Sequence, residues 1–283
     1  MTLGTLNPRS WREVALVADE VGVESVLVSD HLVAPVRSVG SLGSGGDESS
    51  RMNPATPLSD SLGYLHYLAG ITERVTLGTY VYLLGLRHPF VAARAFATLD
   101  RVSDGRALAG VGAGWLESEW DAVGIPPGER GSRLDEAIDV CRLAWSEEAV
   151  VEHQGPHFPF EPVGFEPKPV QAGGVPIHVG GASRAARRRA ALRGDGWMAI
   201  GHPPSSLPEL VAEMRAWRED SPRAGAPFSV TAGGVVAGPE DAERWHDLGV
   251  DRVVVTPWRS SRTAATDLRD YARAVLAELD QPV

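Results

Sequence analysis

Four short segments of the chain carry residues able to do chemistry. Asp30-His31 sets a carboxylate beside an imidazole. Histidine titrates near neutrality and an acidic neighbour can orient it, so the pair could work as general acid and base. The same pair could instead anchor a loop. Gly180-Gly181-Ala182-Ser183 offers two glycines that let a ligand approach the backbone, and Ser183-Arg184-Ala185-Ala186 reads as a helix start. Free amides and the helix dipole there would favour an anion such as phosphate, with the Ser183 hydroxyl as a further donor. A tight strand-to-helix turn would use the same residues. The third and fourth segments are Thr79-Tyr80-Val81 and Gly112-Ala113-Gly114-Trp115. Metal chemistry finds little support. His153 and His157 flank Gln154-Gly155-Pro156, a turn, whereas their spacing suits a helical site. His66 and His246 fall in helical patterns, and there is no Cys-x-x-Cys. Lys168 is the only lysine, so any Schiff base or lysine phosphate clamp would have to come from it.

These segments need elements to hold them, and the chain alternates short β-branched runs with helical patterns, the signature of parallel βαβ units. Eight strands are expected: Thr2–Leu6, Val23–Val28, Val75–Val81, Arg106–Val111, Val175–Val179, Trp197–Ile200, Phe228–Val235 and Arg252–Thr256. The second and eighth contain the continuous apolar runs Val26-Leu27-Val28 and Val253-Val254-Val255, as expected for strands covered on both faces. Helix starts are read at Ser10-Trp11-Arg12-Glu13 and Ser206-Leu207-Pro208-Glu209, which fit a capping box, and at Thr56-Pro57. Trp11, Val14, Ala15, Ala18 and Val21 form an apolar stripe at helical spacing. Eight β-then-α units favour a closed (β/α)8 TIM barrel over an open doubly wound sheet. The rival rests on Gly110-Val111-Gly112-Ala113-Gly114, which is not the Gly-x-Gly-x-x-Gly of dinucleotide folds and lacks the acidic residue that should follow. In such a barrel the active site lies at the C-terminal strand ends, where all four chemical segments fall.

Two insertions break the spacing. Ala34 to Asn53, after the second strand, is long and Gly/Ser-rich, and is expected to be a lid over the site. Glu147 to Gly174, between the fourth and fifth strands, is expected to form a small hairpin around Gln154-Gly155-Pro156. No repeat or linker divides the chain, so residues 1–283 are read as one domain.

Composition narrows the function. The formal net charge is −10 and the sequence pI about 5.3. Both argue against a non-specific nucleic-acid or anionic-membrane surface, which needs a cationic footprint. There is neither an apolar run long enough to span a bilayer nor a signal peptide pattern, so a cytoplasmic protein is expected. The single cysteine, Cys141, excludes an internal disulfide. It lies in the series Leu134, Ile138, Cys141, Trp145 along one helical face, which makes it a core thiol rather than a nucleophile.

Taken in order, several segments form a larger pattern: Val28-Ser29-Asp30-His31-Leu32, then Thr72-Glu73-Arg74-Val75-Thr76-Leu77-Gly78-Thr79, then Arg87-His88-Pro89. Ala97-Thr98-Leu99-Asp100-Arg101-Val102-Ser103, Gly110-Val111-Gly112-Ala113-Gly114-Trp115 and Glu129-Arg130-Gly131-Ser132-Arg133-Leu134-Asp135-Glu136 follow. Val179-Gly180-Gly181-Ala182-Ser183 and Gly194-Asp195-Gly196-Trp197 complete it. With this series the chain resembles, over nearly its whole length, the luciferase-like monooxygenase superfamily, and within it the actinobacterial oxidoreductases dependent on the deazaflavin coenzyme F-420.

The resemblance implies strand ends that cradle an isoalloxazine or deazaflavin ring. It implies a non-proline cis peptide at Tyr80–Val81 behind the ring, in a site shared with Thr79, Gly112, Ala113, Gly114 and Trp115. The cofactor phosphate would rest on Gly180, Gly181, Ala182 and Ser183. Asp30 and His31 match the pair that meets ring and substrate in similar sugar-phosphate dehydrogenases. Those enzymes carry an acid where this chain has Trp115 and lysines that grip the substrate phosphate, and both are missing here. The departure favours reduction or oxygenation of a more apolar small molecule. The resemblance thus implies an F-420-dependent oxidoreductase that transfers a hydride. An FMN-dependent monooxygenase is the alternative, and a non-catalytic flavin-binding protein is a third, disfavoured by eight complete units. Homodimers are common among similar proteins, which extends that expectation to this chain.

Overall fold

The computed structural model describes residues 1–34, 55 and 57–279. Seven strands pair in parallel into one curled sheet. They are β1 (Ser25–Val28), β2 (Thr76–Thr79), β3 (Ala107–Val111), β6 (Ile177–Gly180), β7 (Gly196–Met198), β8 (Ser229–Gly233) and β9 (Arg252–Val254), adjacent in that order. The register runs Ser25↔Thr76, Leu77↔Ala107, Ala109↔Ile177, His178↔Gly196, Gly196↔Ser229 and Thr231↔Arg252. The two remaining strands, β4 (Val150–His153) and β5 (Phe160–Gly164), pair antiparallel as a separate hairpin between β3 and β6.

The eighth ladder strand, expected at Thr2–Leu6, does not form. Thr2 makes a single bridge to Leu27, flanked by hydrogen bonds from the Leu3 amide to the Leu27 carbonyl (2.8 Å) and from the Leu27 amide to the Met1 carbonyl (2.9 Å). The chain then turns, because the Leu6 amide donates back to the Leu3 carbonyl at 2.9 Å. Gly4 sits in that turn, where a Cβ would lie 2.6 Å from the Ser29 Oγ. The hydrogen-bonded ladder is therefore seven strands long. The sheet is open between β1 and β9 rather than a closed eight-stranded barrel, and Leu27 and Val254 of these edge strands belong to one buried cluster with Leu108 and Met198. Coverage is uneven along the sheet. Val26, Leu27 and Val28 are fully buried, whereas at the β9 edge only Val254 is buried and Val253 and Val255 are half-exposed.

Helices follow the strands. α1 (Pro8–Glu20) buries Trp11, Val14, Ala15 and Ala18, with Val21 half-buried just past its end. Its cap is Asn7, whose side chain accepts from the Arg9 amide at 3.0 Å, rather than the Ser10 of the expected capping box. Pro8 explains the shift: a proline at the first helical position, preceded by an Asn cap, starts the helix three residues earlier. Ser10 Oγ instead donates to the Ser261 carbonyl. Ser206 does sit at the cap of α7 (Leu207–Glu219), but its hydroxyl donates to the Pro203 carbonyl and no box forms. α2 (Ser61–Ala69) starts at an Asp60 cap, not at Pro57, because Asp60 accepts from the Gly63 amide. Thr56 and the expected lid, beyond Ala34, lie outside the described residues.

Between the strands run α3 (Pro89–Val102), the short α4 (Glu117–Ala122), α5 (Arg130–Trp145), α6 (Arg184–Arg193) and α8 (Pro239–Asp247), and α9 (Ala264–Tyr271) follows the last strand. The α5 face carrying Leu134, Ile138, Cys141 and Trp145 is buried. Cys141 is 1% exposed, and burial pushes its thiol up to about 12. The thiolate is the reactive form. In the native protein we expect a thiol reagent such as dithiobis-nitrobenzoate to leave this cysteine untouched at pH 8, and to titrate one thiol after unfolding in guanidinium. Rapid native labelling would contradict the buried face. Among the described residues no helix is long and apolar enough to cross a membrane, and no group of His, Cys, Asp or Glu is placed to hold a metal.

Candidate active site

At the C-terminal ends of β1, β2, β3 and β6 lies a cavity of about 470 Å³, within the roughly 300–1,000 Å³ of small-molecule sites. It is lined by Asp30, His31, Tyr80, Val81, Gly112, Ala113, Gly114, Trp115 and the turn 180–183, together with residues the sequence reading missed: Ser29, Leu83, Arg130, Ala186, Arg189 and Ile200. Thr79 is the exception among the expected residues. It is fully buried in the sheet, its Oγ1 donating to the Gly110 carbonyl at 2.7 Å, and it does not line the cavity. The cavity floor is apolar, since Tyr80, Val81 and Ile200 pack on the Leu27, Leu108, Met198 and Val254 layer inside the barrel.

Strand-end backbone positions the ring-sized bed. The Tyr80–Val81 peptide is cis. Around it, the Tyr80 amide donates to Val28 (2.8 Å) and the Tyr82 amide to Gly110 (2.7 Å). The Val81 side chain then spans to the neighbouring strand ends. A Cβ on Gly112 would come within 2.6 Å of Val81 Cγ2, and one on Gly180 within 2.6 Å of Val81 Cγ1. These two glycines thus make room for Val81 first, a role that the expectation of direct ligand approach did not include. Tyr80 has no hydrogen-bond partner among the described residues, and burial pushes its hydroxyl up to about 12. It stays protonated at neutral pH, so its O–H is available to donate a hydrogen bond.

The turn after β6 carries the anion-binding features. Gly181 has φ +134°, a left-handed conformation that side-chain-bearing residues rarely adopt, and a Cβ there would lie 2.9 Å from that of Ala186. Ser183 caps α6, its Oγ accepting from the Ala186 amide at 3.1 Å. Its O–H remains free to donate, alongside first-turn amides that have no intrahelical partner. Two guanidinium groups flank this end. Arg189 is held by Asp135 (Nε–Oδ1 2.7 Å), whereas Arg130 is exposed and has no ion-pair partner among the described residues.

The Asp30–His31 pair resolves differently from the expectation that Asp30 orients His31. The Asp30 carboxylate is buried and fully engaged elsewhere. Oδ2 accepts from the Leu83 amide (2.9 Å) and Arg87 Nη1 (2.7 Å), and Oδ1 from Arg87 Nη2 (3.0 Å) and Ser61 Oγ (3.1 Å). This bidentate pair ties the loops after β1 and β2 to the start of α2. Asp30 is an anchor, not an acid/base partner. The carboxylate that meets His31 is Glu119, on α4. Glu119 Oε2 lies 3.1 Å from His31 Nδ1 and Oε1 accepts from the Leu32 amide at 2.7 Å. Glu119 is 1% exposed, while the His31 ring lies at the cavity wall, edge-on to Trp115 with ring centroids 6.3 Å apart. A sequence signal for Glu119 did exist. Leu116, Glu119 and Trp120 share one helical face at i, i+3 and i+4, and the two apolar members mark that face as buried.

Comparison with known proteins places the sequence in a family. The profile of luciferase-like monooxygenases covers residues 1–278. An uncharacterized protein of Mycobacterium bovis is 31% identical over 273 residues, 94% of this chain and 92% of the relative. An F-420-dependent glucose-6-phosphate dehydrogenase of Kineococcus radiotolerans is 34% identical over 195 residues, which is 68% of this chain but only 52% of the dehydrogenase. Among solved structures, the coenzyme F-420-dependent tetrahydromethanopterin reductase of Methanopyrus kandleri shares the fold, with a TM-score of 0.74 at 15% identity over 98% of this chain and 97% of its own. With the profile spanning nearly the whole chain, the curled sheet and the cavity residues included, the chain belongs to the luciferase-like monooxygenase family of oxidoreductases.

Proposed function

We propose that the protein is an F-420-dependent oxidoreductase that exchanges a hydride between the reduced deazaflavin and a neutral, largely apolar small molecule bearing a carbonyl or comparable acceptor. The observation that carries this reading is one cavity with three parts: an apolar bed at Val81, an anion cradle at Gly181–Ser183, and an imidazole at the wall. A planar ring with a phosphate-bearing tail fits that combination, since a Cβ at Gly181 would crowd the cradle and the Val81 bed exists only because residues 112 and 180 lack one. The F-420-dependent dehydrogenase relative supports the choice of ring. The same cradle accepts the phosphate of FMN, and the family's monooxygenase members make that the second reading.

Bound reduced F-420 supplies a hydride and, with carbon in place of the flavin N5, is a poor activator of oxygen. The chain's own residues do the rest. Val81 supports the ring face, while Gly181, Ala182 and Ser183 anchor the tail. Trp115, Leu83 and Ile200 keep water from the reacting atoms. His31 Nε2 holds the proton that a reduced acceptor oxygen must gain, or takes it from an alcohol in the reverse direction. Tyr80 donates a second hydrogen bond to that oxygen. The cavity offers no lysine for a substrate phosphate, and its guanidinium groups lie at the cradle end, so a neutral substrate fits better than a sugar phosphate.

Oxygen dependence separates the two readings. With reduced F-420 and a panel of ketones and enones, we expect one acceptor reduced per cofactor oxidised, at the same rate in air and under nitrogen. Product formation that requires oxygen and incorporates it would replace this reading with monooxygenation.

A further inference from the structure

We propose that Glu119 is a positioning residue that fixes His31 as its Nδ1–H tautomer, leaving Nε2 as the proton-handling atom toward the cavity. The proposal rests on the reading of His31 as the proton carrier, and adds what controls it. The geometry is specific. Glu119 has two oxygens and meets two groups: Oε1 takes the Leu32 N–H at 2.7 Å and Oε2 faces His31 Nδ1 at 3.1 Å. A carboxylate only accepts, so the neutral ring must carry its proton on Nδ1. Nε2, with no hydrogen-bond partner among the described residues, then presents its lone pair. When the ring gains a proton it gains it at Nε2, and the buried carboxylate stabilises the resulting charge. Of the other charged and titratable groups lining the cavity, Arg130 is exposed and, as a guanidinium, keeps its charge and cannot take up a proton, and the rest are engaged elsewhere. Asp30 is tied to Arg87, Arg189 to Asp135, and Tyr80 keeps its proton.

Replacing the carboxylate with its isosteric amide makes the inference testable. In Glu119→Gln the side chain keeps its shape but has one acceptor oxygen and one NH2 donor. The Leu32 N–H is a fixed donor and claims the oxygen. The amide nitrogen is then left facing His31 Nδ1 and donates to it, so the ring proton must move to Nε2. A residue that only props up the loop would tolerate this exchange without moving any proton.

The test is nitrogen-15 NMR of the histidine rings in the whole protein, at a pH where the ring is neutral, with His31→Ala used to assign the signal. The wild type should show the Nδ1–H pattern and Glu119→Gln the Nε2–H pattern. In the F-420-coupled assay the same variant should lose roughly 10²-fold or more in kcat, the range for a mispresented acid/base group, with KM and cofactor affinity little changed. Glu119→Asp, a shorter carboxylate, should keep the Nδ1–H pattern and recover part of the rate. An Nε2–H pattern in the wild type overturns the proposal, as does a tautomer switch in Glu119→Gln without loss of kcat. If instead no F-420 turnover exists in the wild type, the functional reading fails while the tautomer measurement still decides the role of Glu119.

Discussion

His31→Ala lowers kcat roughly 10²-fold or more and leaves cofactor affinity nearly unchanged. The rate should fall because, among the described residues that line the cavity, His31 is the only histidine, and an imidazole can both give and take a proton. Tyr80 cannot replace it, since burial keeps its hydroxyl protonated up to about 12, and Asp30 is locked to Arg87. Affinity should hold because the anion cradle belongs to the turn after β6, on a different strand end from His31. Removal of the ring also strands little: Glu119 keeps its bond from the Leu32 amide and can recruit water through the space vacated by the ring. The variant should therefore fold. Stopped-flow measurement of cofactor oxidation at saturating substrate separates the outcomes. A variant that binds F-420 weakly but turns over normally would make His31 a binding residue, and unchanged values for both would make it a loop residue alone.

Gly181→Val weakens cofactor binding more than roughly tenfold, a loss above about 1.4 kcal/mol. Two effects add. The backbone at 181 sits at φ +134°, where a β-branched residue is strained by about 1–3 kcal/mol. The new Cβ also lies 2.9 Å from that of Ala186, in the first turn of α6. The turn must shift, and with it the amides and the Ser183 hydroxyl that face the anion. Fluorescence titration of the variant, with a thermal melt to show that it is folded, checks this. A folded variant with wild-type affinity removes the turn from the cofactor site.

Much of this site was legible before the fold. The rule that barrel active sites gather at C-terminal strand ends brings residues as distant as 30, 80, 115 and 183 to one cavity, and they do line it. What failed did so where the deciding contact is non-local. The pairing of Asp30 with His31 was inferred from adjacency. Successive residues leaving a strand point in different directions, and each found its partner far along the chain, Asp30 at Arg87 and His31 at Glu119. Thr79 shows the same limit, since strand alternation turned its hydroxyl into the wall, toward the Gly110 carbonyl. The first strand failed for a local reason. Thr2–Leu6 makes one bridge and then turns at Leu3–Leu6, with Gly4 at a point where a Cβ would meet the Ser29 hydroxyl. The roles of Gly112 and Gly180 could not have been read from sequence, because the side chain they accommodate, Val81, comes from the segment after β2.

We propose that this cavity binds a deazaflavin by its ring and its phosphate together. The most direct test is an equilibrium titration of the purified protein with F-420, followed by ligand fluorescence, beside parallel titrations with FMN and with the deazaflavin lacking its phosphate-bearing tail. Saturable one-to-one binding of F-420 is expected, with at least a roughly tenfold weaker affinity, about 1.4 kcal/mol, for the tailless form. Stoichiometric binding of FMN with none of F-420, or equal affinity for the tailed and tailless deazaflavins, would contradict it.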